Sequence, residues 1–182
     1  SGAVVVSAED SGFVLTGSVG GTTWSHDATA LRFLGAGGEF ITALRFAGTT
    51  NAAVGLDFAA GSLERIVRRL NFDRGALALQ AAAGVVQFTN NTATNLRGGI
   101  SLSGSATGAF RTNNLSLTTG AGFRVNTTST ALLILEDNTV QGADVAGIEV
   151  LGAGSVSLKN NTFNLRSAAG ILFSASGTLS AE

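Results

Sequence analysis

Gly99-Ile100-Ser101-Leu102, Gly122-Phe123-Arg124-Val125, Gly147-Ile148-Glu149-Val150 and Gly170-Ile171-Leu172-Phe173 are copies of one phrase: a small residue, an apolar residue, any residue and a second apolar residue. Working toward the N-terminus, the phrase returns as Ala76-Leu77-Ala78-Leu79, Gly55-Leu56-Asp57-Phe58, Ala30-Leu31-Arg32-Phe33 and Gly12-Phe13-Val14-Leu15. From Phe13 to Ile171 its steps are 18, 25, 21, 23, 23, 25 and 23 residues. A near-fixed period of this length over a whole chain marks a repeat architecture, in which each unit buries its apolar face only against its neighbours. Within the phrase the two apolar residues share parity and the residue between them faces the other way, as a strand of period two requires. The small residue in front marks a bend, where a side chain would crowd the adjacent turn.

A second strand follows in most units, at Phe40-Ile41-Thr42-Ala43-Leu44, Val85-Val86-Gln87-Phe88, Leu132-Leu133-Ile134-Leu135 and Val156-Ser157-Leu158. Two or three short strands per unit of about 23 residues suit one coil of a parallel β-helix, whereas few windows keep a helical spacing without interrupting glycines or threonines. The expected fold is all-β: a single-stranded parallel β-helix of about eight coils spanning residues 1–182 as one domain, with the first two coils, residues 1–50, less regular. The prior for parallel crossovers makes it right-handed. After the second strand an asparagine recurs three places beyond an apolar residue, at Asn91, Asn113, Asn138 and Asn161, with steps of 22, 25 and 23. Stacked roughly 4.8 Å apart, these amides would form a ladder of hydrogen bonds, and asparagine tolerates the left-handed conformation of a sharp corner. Acceptor-like triplets for glycosylation overlap several of them, but the ladder role is the expected one. The outward residues of the phrase pair Arg32 with Asp57 and Arg124 with Glu149 on neighbouring coils, opposite charges that an in-register parallel stack favours.

Composition narrows the chemistry. The 182 residues contain no proline, cysteine, methionine or tyrosine, but 25 glycines, and 13% are charged. Proline cannot donate to a strand ladder, so its absence suits a backbone committed to pairing. Without cysteine, disulfide frameworks and thiolate metal sites are excluded. The net charge of −1 and the dispersal of ten arginines and one lysine argue against general nucleic-acid binding. No apolar run is long enough to cross a bilayer as a helix, so no membrane insertion is expected.

Gly98-Gly99-Ile100, with Phe88-x-x-Asn91 and Phe110-x-x-Asn113, resembles the repeat vocabulary of polymorphic outer-membrane proteins and related bacterial autotransporter passengers. The looser pattern resembles the right-handed parallel β-helix superfamily as a whole, which also contains pectate lyases, polygalacturonases and phage tailspikes. The resemblance implies an extracellular or cell-surface setting.

Three places invite a search for chemistry. Ser25-His26-Asp27 holds the single histidine, but consecutive residues diverge and no nucleophile elbow accompanies them, so no triad is expected. Glu136, Asp137, Asp144 and Glu149 are the densest acids, and they read as solvated turns and strand positions instead of a calcium or acid–base cluster. The segment Leu63 to Arg74 breaks the second-strand pattern and carries Arg65, Arg68, Arg69 and Arg74. These are candidate contacts for an anionic glycan or an acidic partner, with an amphipathic turn capped by Ser62 as the alternative. Neither terminus looks like a polar cap, which suggests that copies stack end to end as a filament; a piece of a longer passenger is the rival explanation. The expected function is a structural extracellular protein, a subunit of a head-to-tail surface fibre or an adhesin-like passenger segment, not an enzyme and without a cofactor. The alternative is a β-helix that binds or depolymerises polysaccharide.

Overall fold

The computed structural model describes residues 4–6, 13–17, 22–166 and 168–182, with the backbone alone for Val4–Val6. Its strands form three parallel sheets that the chain visits in rotation. The first sheet holds Val4–Val6, Thr29–Phe33, Val54–Phe58, Leu77–Ala81, Ile100–Gly104, Ala121–Thr127, Ala146–Val150 and Ala169–Phe173. The second holds Val14–Thr16, Phe40–Thr42, Glu64–Arg68, Val85–Thr89, Thr107–Arg111, Leu132–Glu136, Ser155–Lys159 and Leu179–Ala181. The third holds Thr22–His26, Leu44–Gly48, Asn71–Gly75, Thr92–Leu96, Asn114–Leu117, Thr139–Gln141 and Thr162–Asn164. Every winding thus uses three strands, and seven windings are complete; the eighth lacks a third-sheet strand among the described residues.

The column expected from the phrase is present. Ile100 pairs with Phe123, Phe123 with Ile148, and Ile148 with Ile171, while Leu102, Val125, Val150 and Phe173 line up beside them. Two copies of the phrase are placed differently from the sequence reading. Leu79, not Leu77, pairs with both Leu56 and Ile100, so Ala78-Leu79-Gln80-Ala81 is the true copy. Both registers satisfy alternation, and burial decides: Leu79 is fully buried and Leu77 only partly. The copy at Phe13-Val14-Leu15 belongs to the second sheet, where Val14 pairs with Phe40, and the first-sheet partner of Leu31 is Val4; Gly12 lies outside the described residues. The 18-residue step was too short for a winding of three strands.

At Ala30, Gly55, Gly122, Gly147 and Gly170 the small residue of the phrase lies inside the strand and not at a bend, whereas Gly99 does sit at a bend just before Ile100. A methyl carbon added at Gly122 would come 2.6 Å from the carbonyl oxygen of Gly147, and one at Gly147 would come 2.6 Å from that of Gly170. No room exists for a side chain where consecutive windings and the facing third sheet converge.

Two-residue corners join the second sheet to the third, and each residue has its own task. The first takes the left-handed conformation: Arg69, Asn90, Thr112, Asp137 and Asn160 have φ of 53° to 56°. The second is the ladder residue, buried at Asn91, Asn113 and Asn138. The left-handed turn therefore falls on the residue before each ladder asparagine and not on the asparagine itself. The amide of Asn91 donates to Asn113 Oδ1 at 3.1 Å, that of Asn113 to Asn138 Oδ1 at 2.9 Å, and that of Asn138 to Asn161 Oδ1 at 2.9 Å. Each of these oxygens also accepts the backbone N–H of the preceding ladder residue, and each amide also reaches a second-sheet carbonyl, such as Phe88 O from Asn113 at 2.9 Å. Leu70 fills the same slot one winding earlier with an apolar side chain, its N–H donating to Asn91 Oδ1.

Inside the stack, aromatic rings run from sheet to sheet: Phe46 on Phe72 at 5.3 Å, then Phe88, Phe110 and Phe123 at 6.0 Å intervals. Offset rings at such separations add to the burial of their area. Asn113→Ala will lower the free energy of unfolding by about 2–4 kcal/mol, because it strands buried polar groups of Asn91 and Phe88. The same change at the partly exposed end member Asn161 will cost less, as urea denaturation of both variants measures.

Candidate functional site

The arginine-rich segment forms two ordinary strands, Glu64–Arg68 and Asn71–Gly75, joined at the left-handed Arg69. This replaces the expected break in pattern and the turn capped by Ser62. Alternation sends Glu64, Ile66 and Arg68 outward and Arg65 and Val67 inward. Arg65 is wholly buried, which removes it from any surface contact. Its Nε donates to Glu39 Oε2 at 2.7 Å. Nη2 donates to Gly35 O at 3.1 Å and Ala60 O at 2.6 Å, and Nη1 to Ala83 O at 3.4 Å. Those carbonyls belong to the first-to-second-sheet connections of three successive windings, so one guanidinium fastens three units together, with its carbon 4.8 Å from the centre of the Phe58 ring. The other three arginines do not share a surface. Arg68 lies on the outer face of the second sheet with its guanidinium 4.7 Å from the Phe40 ring centre; Arg69 occupies the second-to-third-sheet corner; Arg74, also left-handed at φ 61°, sits near the end of a third-sheet strand.

The histidine and the acids are similarly dispersed. His26 is buried, with Nδ1 2.9 Å from Ala28 O and its ring edge-on to Phe46, while Ser25 and Asp27 point to solvent. Glu136 lies between Arg111 at 3.0 Å and Lys159 at 3.9 Å on the second sheet. Asp137 takes a left-handed corner, Asp144 accepts the Gly120 N–H at 2.5 Å, and Glu149 meets Arg124 at 3.1 Å on the first sheet. Both outward pairs expected from the phrase are formed, Arg32–Asp57 closing at 3.2 Å. Among the described residues no three of His, Asp and Glu are placed to share a metal ion.

The structure supplies one site that the repeats did not announce. Beside the third-to-first-sheet corner, Leu77, Arg97, Ser101, Thr119, Arg124 and Glu149 line an open groove of about 580 Å³. Arg124 is engaged by Glu149, whereas Arg97 is exposed and, among the described residues, no carboxylate pairs with it. An unpaired guanidinium next to two hydroxyls is the arrangement that receives a carboxylate or sulfate. Arg97 and Thr119 fall in corners outside the repeated phrase and so escaped it; the available signal was that Arg97 follows Arg74 by one repeat period.

A second depression continues along the same corner, lined by Asn51, Asp73, Arg74, Asn95 and Thr118. Arg45 holds the Asp73 carboxyl below the ordinary carboxylate value, first through its hydrogen bond at 2.8 Å and also through its charge, helped by Asn95 and Thr94.

Residues 31–182 match the family described as "Right handed beta helix region". No match is found among the curated proteins or the solved structures.

Arg65→Met will cost about 3–5 kcal/mol, since it leaves the Glu39 carboxylate buried without its partner. Combining it with Glu39→Leu will recover much of the loss, read from urea midpoints of the single and double variants. Asp73 gives a pH signature. Folding lowers its pKa, so its charge stabilises the fold above the ordinary value of 3.8 and that contribution fades as acid protonates it. Asp73→Asn will therefore be less stable than the parent at neutral pH, and the deficit will shrink as the pH is taken below 3.8, in denaturant titrations across that range.

Proposed function

We propose a structural role for this chain, which belongs to the right-handed β-helix family: a rod-like element of an extracellular or cell-surface assembly, either an adhesin-like passenger segment or a unit that stacks end to end with its own copies. The observation that supports it most is where the outward charge goes. Asp57, Asp73, Glu136 and Glu149 each meet an arginine one winding away. Charges used in this way reinforce register along the rod and are spent on the stack instead of converging on a substrate. The last winding presents Ile171, Leu172 and Leu179 to whatever is stacked next, apolar area that a further winding from the same or a second chain covers.

A second reading, binding or cleavage of an acidic polysaccharide, draws on the groove around Arg97 and Arg124. Negative-stain electron microscopy of the purified chain separates the two. A rod function predicts particles whose length grows with concentration in steps of roughly 38 Å, eight strand spacings. It also predicts no release of sugar ends from pectin or alginate with or without calcium; depolymerisation abolished by Arg97→Ala would overturn it.

A further inference from the structure

The three outer faces of the prism differ in a way the structural role above does not use. Along the middle of the first sheet the outward column reads Arg32, Asp57, Gln80, Ser101, Arg124, Glu149, Leu172, apolar only at its last position. The outward column of the third reads Arg45, Asn71, Thr92, Asn114, Thr139, Thr162. On the second sheet it reads Val14, Phe40, Ile66, Gln87, Ala109, Ile134, Ser157, Ser180, apolar over its first six windings but for one glutamine, with Ala109 itself buried, and hydroxyl-bearing at the last two. Leu63 and Leu132 extend this strip along the side where the first sheet connects, and Val14, Leu63 and Leu132 are all more than half exposed. Soluble surfaces rarely leave contiguous apolar strips open without a partner.

We infer that two copies of this chain associate laterally, the outer face of one second sheet upon that of the other, about a two-fold axis parallel to the stack. The charge pattern selects both the occupant and the axis. Glu64 and Arg68 flank Ile66 on one strand, two residues to either side. A two-fold rotation about the stack axis keeps each winding level with its counterpart and reverses the strand direction. Glu64 then meets the other copy's Arg68, twice per dimer, with Ile66 against Ile66 between them. The same operation sets Arg111, Glu136 and Lys159 opposite Thr107, Leu132 and Ser155, so no like charges meet. Five strands of five residues and three of three offer about 540 Å² a side, about 1,100 Å² in all, just above the roughly 1,000 Å² that a specific interface has to clear. A rim pair of this kind contributes chiefly to register and orientation. The pairing is independent of end-to-end stacking and yields a closed dimer where stacking yields an open series, so the two fail separately.

Sedimentation velocity across a concentration series, with circular dichroism to confirm folding of each variant, tests it. The parent will show reversible side-by-side pairing that doubles the mass of the single or stacked species present, and Ile134→Lys, on a solvent-facing position, will abolish that doubling. Glu64→Arg or Arg68→Glu alone will weaken the dimer about tenfold, and the two together will restore it. Because the chain has no native cysteine, Ile66→Cys treated with a short bis-maleimide will give a single cross-linked dimer. A monomer at every concentration, or a dimer insensitive to Ile134→Lys and to both charge reversals, overturns the inference.

Discussion

Equivalence between windings is the constraint on which the molecule depends. In a parallel stack with strands roughly 4.8 Å apart, each side chain has the corresponding side chain of the next winding as its nearest neighbour. Whatever is placed at one position must be compatible with a copy of itself or with a complement. Apolar residues meet this easily, as Ile100, Phe123, Ile148 and Ile171 do. Buried asparagine meets it because an amide is donor and acceptor at once, so identical residues satisfy one another indefinitely. Charge meets it only by alternating in sign, and the outer faces comply: arginine over aspartate, arginine over glutamate, glutamate between arginine and lysine.

This constraint accounts for what could be read from the residues alone. The column, the ladder and the two first-sheet ion pairs are periodic, and periodicity survives in one dimension. Position within a winding is another matter, since all three sheets alternate with the same period of two. Phe13-Val14-Leu15 satisfies the phrase as well as any copy, yet it sits in the second sheet, and only the length of its step sets it apart. Leu77 and Leu79 have equal parity and equal hydrophobicity, and choosing between them requires knowing what stands beyond the strand end. The corner conformation was assigned one residue late because asparagine, a frequent left-handed residue, occupies the ladder slot. The fold needs its amide turned inward there and passes the positive φ to the residue before it, which is the favourable Asn90, Asp137 or Asn160 in three windings and the unfavourable Thr112 in another.

Arg65 shows how a local pattern misleads when charge is read before parity. Four arginines within ten residues suggest a basic surface. In Glu64-Arg65-Ile66-Val67-Arg68, however, Arg65 shares the parity of Val67, which the period-two rule already assigns to the interior. An arginine there is tolerable only with a full set of acceptors, and the connections of three windings provide carbonyls that no strand uses. The groove at Arg97 is the opposite case. Arg97 and Thr119 lie in corners, where the period fixes spacing but not direction, so three-dimensional placement alone brings them beside the strand residues Leu77 and Arg124.

Comparing the buried and the exposed guanidinium clarifies what the scaffold can use them for. Arg65 has one carboxylate and three carbonyls, and its removal acts through the charge left behind on Glu39. Arg97 has no such commitment, so its loss should leave the stack unaffected and alter only what the groove receives. The same separation holds across the molecule: inward positions are dictated by neighbouring windings, whereas outward positions are free to differ between faces. Three faces built on one period nevertheless diverge along their middle columns, mostly charged or polar on the first sheet, hydroxyl- and amide-rich on the third and largely apolar over the first six windings of the second. Stacking demands no such divergence, and the apolar stretch of the second sheet is the one proposed to meet a second copy.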